Sequence, residues 1–422
     1  MYIKRDITQQ LTQATAWIQI LLGPRQCGKS TLFAAASHCL SGYNSPAAGY
    51  NITDAYQHFT EITFDDLQMR QLAARDPALF LQQFSPPLLL DEVQYAPNLF
   101  PELKKIIDQL KRTATFQAGA AIKPTVLFRL TGSNQILMDK NIKESLAGRA
   151  SYYHLNTLSV HEILTALPET TLNEILFKGG WPELYTHSAL SVTSYLNDYI
   201  RTYVEKDIVM SAGIQKLAEF HTVLRLLAGR TGQETYYAAI SNDSGVSSVT
   251  VNEWVGLLEQ ADLVYLLQPY YNNLNKRLIK SAKLYFLDTG LAARLQGWSD
   301  PVPLFNSPQI GPLFETLVLA EIVKFMRNYS KDWELFFWRT KEGEEIDFII
   351  KTSRGSIHAF EAKLAIHGLS SAVSYPPAFQ KDFLPTKPLV IVTYGGQKLT
   401  LSPTCIALPL TMLHDYLLNI AN

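Results

Sequence analysis

Two hydrophobic rhythms alternate along the chain. Short apolar runs that end abruptly in polar residues predict buried parallel strands delivering side chains at their carboxyl ends. These are Ile18-Gln19-Ile20-Leu21-Leu22, Glu61-Ile62-Thr63-Phe64-Asp65, Pro87-Leu88-Leu89-Leu90-Asp91-Glu92 and Val126-Leu127-Phe128-Arg129-Leu130-Thr131. From Leu158 to about Ile208 the rhythm becomes helical, with Val160, Ile163, Leu164 and Leu167 on one face and a break at Gly179-Gly180-Trp181-Pro182-Glu183-Leu184. A long mixed-face helix is expected over Tyr195–Ile208. Residues 214–288 read as helix, helix, turn, helix and hairpin. The first helix carries Leu217, Phe220, Val223, Leu224 and Leu227, and a short one covers Tyr236 to Ser241. The turn is Asn242-Asp243-Ser244-Gly245, and Thr250-Val251-Asn252-Glu253 has capping-box form ahead of a helix from Trp254 to Ala261. A helix from Gly311 to Ile322 precedes strand-like runs at Leu335–Arg339, Glu345–Ile350 and His358–Lys363.

The first strand runs directly into Gly23-Pro24-Arg25-Gln26-Cys27-Gly28-Lys29-Ser30-Thr31, which has the form G-x-x-x-x-G-K-[ST]. Its glycines let the backbone curl so that N–H groups face phosphates, and the helix opening at Lys29 adds the positive end of its dipole. Lys29 then reaches the β- and γ-phosphates, and the Ser30 hydroxyl ligates Mg²⁺. ATP and Mg²⁺ are the expected ligands.

Asp91 and Glu92 follow this loop by about sixty residues at the end of an apolar strand. Asp91 is expected to hold the Mg²⁺ shell through water, and Glu92 to polarise the attacking water. Asn134, with Ser133 in reserve, is the candidate sensor of the γ-phosphate. Asp65-Asp66 either ends a strand or opens the next helix. An acidic pair on a strand set apart from the phosphate-loop strand by another resembles the AAA-type ATPases rather than small GTPases or kinases. Gly148-Arg149, after the polar helix Lys140–Leu146, sits where such ATPases often place an arginine aimed at a nucleotide, and a finger acting in trans would tie hydrolysis to assembly of a homo-oligomer. A surface ion pair is the alternative for Arg149; Arg25 and Arg129 are weaker candidates for the same work.

The pattern over 214–288 is that of a winged helix-turn-helix, with Leu263–Leu267 and Lys283–Phe286 pairing around a tip that holds Asn272, Asn273, Asn275, Lys276, Arg277 and Lys280. Duplex DNA is one partner for such a module. Glu253 and Glu259 on its last helix leave packing or protein docking as the other use. Downstream, Glu361 and Lys363 lie two apart on a strand and so share a face, and a hairpin turning near Ser353-Arg354-Gly355 brings Asp347 beside them. With Glu315 as a helix carboxylate, Asp347, Glu361 and Lys363 match the D-(x)n-E-x-K signature and look like a restriction-endonuclease-like core. The carboxylates would hold Mg²⁺ while Lys363 orients or deprotonates water. A fold kept as an interaction surface is the other reading.

Length and charge narrow the classes. The 422 residues exceed one ordinary core. A formal charge of -1 gives no global pull toward nucleic acid or membrane. Three cysteines, Cys27, Cys39 and Cys405, are spaced like no disulfide framework or zinc site, so a reducing compartment is expected. No run is apolar enough to span a bilayer, and a cytoplasmic protein is the expectation.

Together these pieces resemble a large family of bacterial and archaeal AAA-type P-loop ATPases with an uncharacterised carboxyl-terminal nuclease-like domain. The resemblance rests on Gly23–Thr31, Leu89–Gln94, Thr131-Gly132-Ser133, Leu146–Arg149, Gly179–Glu183, Val204–Ile208 and Gly343–Phe348. It implies an α/β protein with a P-loop core over 1–157, a helical lid over 158–212, a winged helix over 213–300 and a nuclease-like α/β domain over 301–422. Three activities follow as expectations: an ATPase that binds or remodels DNA, a metal-dependent nuclease gated by ATP, and a nucleotide-controlled switch between protein partners.

Overall fold

A computed structural model describes residues 1–13, 16–39, 59–117, 125–132, 146–209, 213–271, 281–365, 374–383 and 385–421. The chain divides into two compact units, Lys4–Asn156 and Thr157–Asn422, the latter joined by Met1–Ile3.

The first unit is built on five parallel strands, β1 (Ile18–Leu22), β2 (Thr60–Thr63), β3 (Leu88–Asp91), β4 (Phe128–Thr131) and β5 (Ala150–His154), in the order β2-β3-β4-β1-β5. Strand β4 therefore stands between the phosphate-loop strand and the strand that ends in Asp91. Alternation of side chains splits the core into two layers. Ile18, Ile20, Leu88, Leu90, Phe128 and Leu130 meet Leu99, Phe100, Leu103 and Ile107 of the helix Leu99–Gln117 on one face. Leu21, Leu89 and Tyr153 meet Leu32 and Phe33 of the helix Lys29–Cys39 on the other. Strand β5 escaped the sequence reading because Ala150-Ser151-Tyr152-Tyr153-His154 has no apolar run; it is an edge strand with only Tyr153 buried. Asp66 resolves its open alternative by capping the helix Leu67–Arg75, accepting from the Gln68 N–H at 2.7 Å.

The second unit opens with the helix Val160–Ala166, held by a capping box between Ser159 and Glu162. The stretch expected as one long helix is instead an α-helix, Val192–Tyr199, that widens into a π-helix over Ile200–Ile208. Next come the helix Leu217–Gly229, β6 (Gln233–Glu234), the helices Tyr237–Ser244 and Ser248–Gln260, β7 (Val264–Pro269) and β8 (Lys283–Phe286). The third of these helices starts earlier than expected because Ser247 caps it, accepting from the Thr250 N–H at 3.1 Å, one turn ahead of the assigned box. The hairpin tip, 272–280, lies outside the described residues.

After the helix Ile310–Asn328 come β9 (Glu334–Arg339), β10 (Glu345–Lys351), β11 (Ile357–Lys363), β12 (Leu389–Thr393), β13 (Leu399–Ser402) and β14 (Cys405–Pro409). These strands do not form a sheet of their own. Strand β7 pairs in parallel with β9, Gln268 opposite Phe336 and Pro269 opposite Phe337, giving one nine-stranded sheet, β13-β14-β12-β11-β10-β9-β7-β8-β6. One hydrophobic core likewise runs from Leu158 through Trp254 and Phe286 to Leu417.

Candidate functional site

The phosphate loop is shaped by contacts that only glycine permits. Gly23 has φ +143°, and a Cβ there would lie 2.1 Å from the Leu155 carbonyl oxygen. Gly28, at φ +93°, opens the helix Lys29–Cys39, whose first-turn N–H groups have no intrahelical acceptor and suit an anion. Lys29 is buried and folds back to donate to the carbonyls of Gly23 at 3.0 Å and Pro24 at 2.8 Å. Cys27 is fully buried with its Sγ 3.4 Å from the Leu155 oxygen, so it is a packing side chain. Sequence reasoning missed Arg5. Its guanidinium, 4% exposed, donates to the carbonyls of Cys27 at 3.0 Å and Asn156 at 2.7 Å and fastens the loop from behind.

At the carboxyl ends of the strands the polar residues converge. The Ser30 hydroxyl donates to Asp91 Oδ1 at 2.6 Å, and the Thr131 hydroxyl donates to the same oxygen. The Glu92 N–H reaches Thr131 Oγ1 at 3.3 Å, and Gln94 donates to the Glu92 carboxylate. Glu92 itself sits at φ +54°, a left-handed conformation that costs a non-glycine residue about 1 kcal/mol or more and gathers at functional sites. Ser30 and Asp91 thus present oxygens side by side, as a hard divalent cation requires, and Glu92 stands beside them. This donor set fits Mg²⁺ with a nucleoside triphosphate.

Four other candidates fare differently. Asn134 and Ser133, with most of the helix Lys140–Leu146, lie outside the described residues. Arg129 is 2% exposed, donates to Gln19 and to the Phe33 carbonyl, and lies over the Phe59 ring, where burial lowers its pKa to about 10; it is a core residue. Arg149 precedes β5, whose start is level with the start of β1, whereas the loop leaves the far end of β1. About 15 Å of strand separates it from its own loop. There it grips Asp108 with two hydrogen bonds, at 2.7 and 2.9 Å, and holds that carboxyl below the usual range.

In the second unit, antiparallel pairing of β10 with β11 puts Phe348 opposite Phe360, so Asp347 falls beside Glu361 as expected from the hairpin. A register shift between Ile346 and Ile349 brackets Asp347, and bulges of this kind re-aim side chains next to sites. Asp347 accepts from the Ala362 N–H at 2.9 Å, and Lys363 lies 3.2 Å from Glu361. Glu315 accepts from the Tyr285 hydroxyl at 2.5 Å. Glu315 and Asp347 line a pocket of about 510 Å³ together with Arg230, Lys283, Arg339 and Glu345. Burial raises the pKa of Glu315, Asp347 and Glu361, and the Asp347 charge adds to the effect on Glu315 and Glu361. Burial works against the Lys363 charge, but Asp347 and Glu361 outweigh it and raise its pKa. The buried Lys283 has no counterpart in the sequence reading, because it comes from the hairpin and not from the carboxylate motif.

Comparison with known proteins separates the first unit and divides the second between two families. Residues 16–164 match the AAA domain family, 169–302 a domain of unknown function (DUF8612), and 310–413 a second domain of unknown function (DUF4143). An uncharacterised protein of Mycobacterium tuberculosis is 28% identical over 412 residues, covering 96% of this chain and 83% of that one. An uncharacterised protein of Haemophilus influenzae is 23% identical, covering 92% and 94%. Among solved structures, a Walker-type ATPase of Pyrococcus abyssi is similar at 14% identity and a TM-score of 0.37, over 70% of this chain and 96% of that one. The AAA-domain match and the geometry of the loop together support an AAA-type P-loop ATPase unit that binds and hydrolyses ATP. Among the described residues no helix is long and apolar enough to cross a membrane.

Proposed function

We propose that the protein is a Mg²⁺-dependent ATPase whose hydrolysis is coupled to work on DNA. The observation that carries the ATPase reading is the junction of Ser30, Asp91, Thr131 and Glu92 beside the phosphate loop. Lys29 leaves its two carbonyl acceptors for the β- and γ-phosphates, and Ser30 and Asp91 hold the metal shell. The bound Mg²⁺ supplies charge neutralisation on the phosphates. Glu92, oriented by Gln94, accepts the proton of the attacking water.

The DNA reading is supported by element order. Helix, strand, two helices and a hairpin, with β6, β8 and β7 adjacent, follow the winged-helix plan. The test is steady-state ATP hydrolysis with single-stranded, duplex and forked DNA, with Lys29→Ala as the blank. Stimulation by one form is expected; a rate indifferent to all three rejects DNA coupling and turns the reading to a nucleotide-controlled protein switch. Glu92→Gln is expected to keep ATP binding and lower turnover by about 10²-fold or more.

A second reading, metal-dependent phosphodiester cleavage, is favoured by one observation: the β10–β11 pairing sets Asp347 beside Glu361, with Lys363 3.2 Å from Glu361 and Glu315 lining one pocket with Asp347. Nicking of supercoiled plasmid that is lost in Asp347→Ala and Lys363→Ala is the expected result; intact plasmid after long incubation with Mg²⁺ and ATP removes this reading.

A further inference from the structure

A second cavity, of about 420 Å³, opens in the second unit among the helix Leu217–Gly229, the turn that follows the helix Thr289–Leu295, and Gln309. Its size falls in the range of about 300–1,000 Å³ that small-molecule sites occupy. The half-buried Trp298 lines it and is held at three points. Its Nε1 donates to Gln296 Oε1 at 3.0 Å, Gln296 Nε2 in turn donates to the Ala228 carbonyl at 2.9 Å, and Arg294 donates to the Trp298 carbonyl at 3.1 Å. The turn that delivers it needs Gly297, at φ +98°. A ring fixed in this way offers its surface with little further ordering on binding. The same space is lined by the exposed Arg225, whose guanidinium has no hydrogen-bond or ion-pair partner among the described residues, and by Thr222 and Gln309.

A fixed aromatic ring, an unpaired guanidinium and a side-chain amide are the groups that a base bearing a phosphate requires. The ring stacks on the base, the guanidinium meets the phosphate, and the amide reaches the base edge. A base within a duplex cannot stack there, because its neighbours already cover its faces. The helix Ser248–Gln260, by contrast, stands where winged helices read duplex, yet it contains no lysine or arginine and bears Glu253 and Glu259. We propose that this cavity binds one unpaired nucleotide, with its base against Trp298 and its phosphate on Arg225. The proposal deepens the DNA reading where that nucleotide belongs to a single strand, and is independent of it where the nucleotide is free.

The experiment blocks the cavity from a position that tolerates it. Gly229 ends its helix and lines the space, and a Cβ there would meet no atom within 4 Å, so Gly229→Leu fills the cavity without strain. Binding to the full chain is followed by fluorescence anisotropy with a labelled thymidine dodecamer, the same strand in duplex, and a labelled mononucleotide. The mononucleotide is tested in a Lys29→Ala background, which silences the phosphate loop. Single-strand binding is expected to weaken about tenfold in Gly229→Leu and in Trp298→Leu, with Trp298→Phe keeping most of it. Arg225→Gln should weaken it and lower the salt dependence by about one counterion. Duplex binding should be unchanged in all four, and melting temperatures check that each variant is folded. Single-strand binding that Gly229→Leu and Arg225→Gln leave at the wild-type level overturns the site and leaves the DNA reading standing. A mononucleotide that binds and is lost in Gly229→Leu, with no strand bound by wild type, upholds the site and rejects the DNA reading. If Gly229→Leu weakens neither probe, the proposal is overturned.

Discussion

Arg5 shows how one side chain far from a motif can determine whether the motif works. Its guanidinium donates to the Cys27 carbonyl within the phosphate loop and to the Asn156 carbonyl beyond β5. Arg5→Ala removes both of these hydrogen bonds from a buried place, a loss of roughly 2 to 3 kcal/mol. Titration with a fluorescent ATP analogue is expected to show weaker binding as well as the lower melting temperature; unchanged affinity would confine Arg5 to stability. Glu315 makes the opposite case. Its folded pKa is raised, by burial first and by Asp347 second, so the folded state binds the proton more tightly than the unfolded chain does. Stability is therefore lost as pH rises from the ordinary carboxylate range through the raised value. Glu315→Gln, which still accepts from Tyr285, should therefore lose less stability than wild type as pH rises from 4 to 8, as followed by urea unfolding at the two values. Residues of the first kind of site were legible because Gly23–Thr31 are neighbours in sequence and spell their chemistry. Arg5, Asp108 and Lys283 were not, because each acts through a partner distant along the chain and leaves no local pattern.

Among elements, the apolar runs of β1, β3 and β4 announced themselves, as did the strands that carry Asp347, Glu361 and Lys363. The π-helix did not, since its widened turn has no hydrophobic period of its own. Gly179-Gly180-Trp181-Pro182 was read as a break between helices, and the structure adds a reason for its glycines. The Gly180 N–H donates to Asp288 Oδ2 at 2.8 Å, and a Cβ on Gly179 would lie 2.0 Å from the other oxygen of that carboxylate. Across the same contact a Cβ on Gly290 would lie 2.4 Å from the Lys178 carbonyl oxygen. The helices Leu172–Lys178 and Thr289–Leu295 therefore meet backbone to backbone. Gly290→Ala meets backbone and not a yielding side chain, and a loss of about 2 kcal/mol or more in thermal unfolding is expected. A Gly290→Ala protein as stable as wild type would show that the two helices can part without cost.

At the scale of the molecule, two units imply two responses to ligand. Mg²⁺ and ATP at about a hundred times the dissociation constant should stabilise the unit Lys4–Asn156 by about 2.7 kcal/mol, visible in calorimetry and absent in Lys29→Ala. Arg149 cannot serve its own loop from the opposite ends of the strands, so any finger role needs a second copy, and turnover per chain should then rise with protein concentration in wild type and not in Arg149→Ala. The join between β7 and β9 has a practical consequence for dissecting the protein. Cutting the chain near residue 300, where the helix-and-hairpin segment gives way to the carboxyl-terminal strands, would strip one side of β7 and one side of β9 of their partners. Each half would carry a raw β-edge, a template on which copies stack into aggregates. The cleaner seam lies at Asn156–Thr157, and a shortened protein ending near 300 should precipitate for want of its neighbouring strand, whatever its ATPase unit retains.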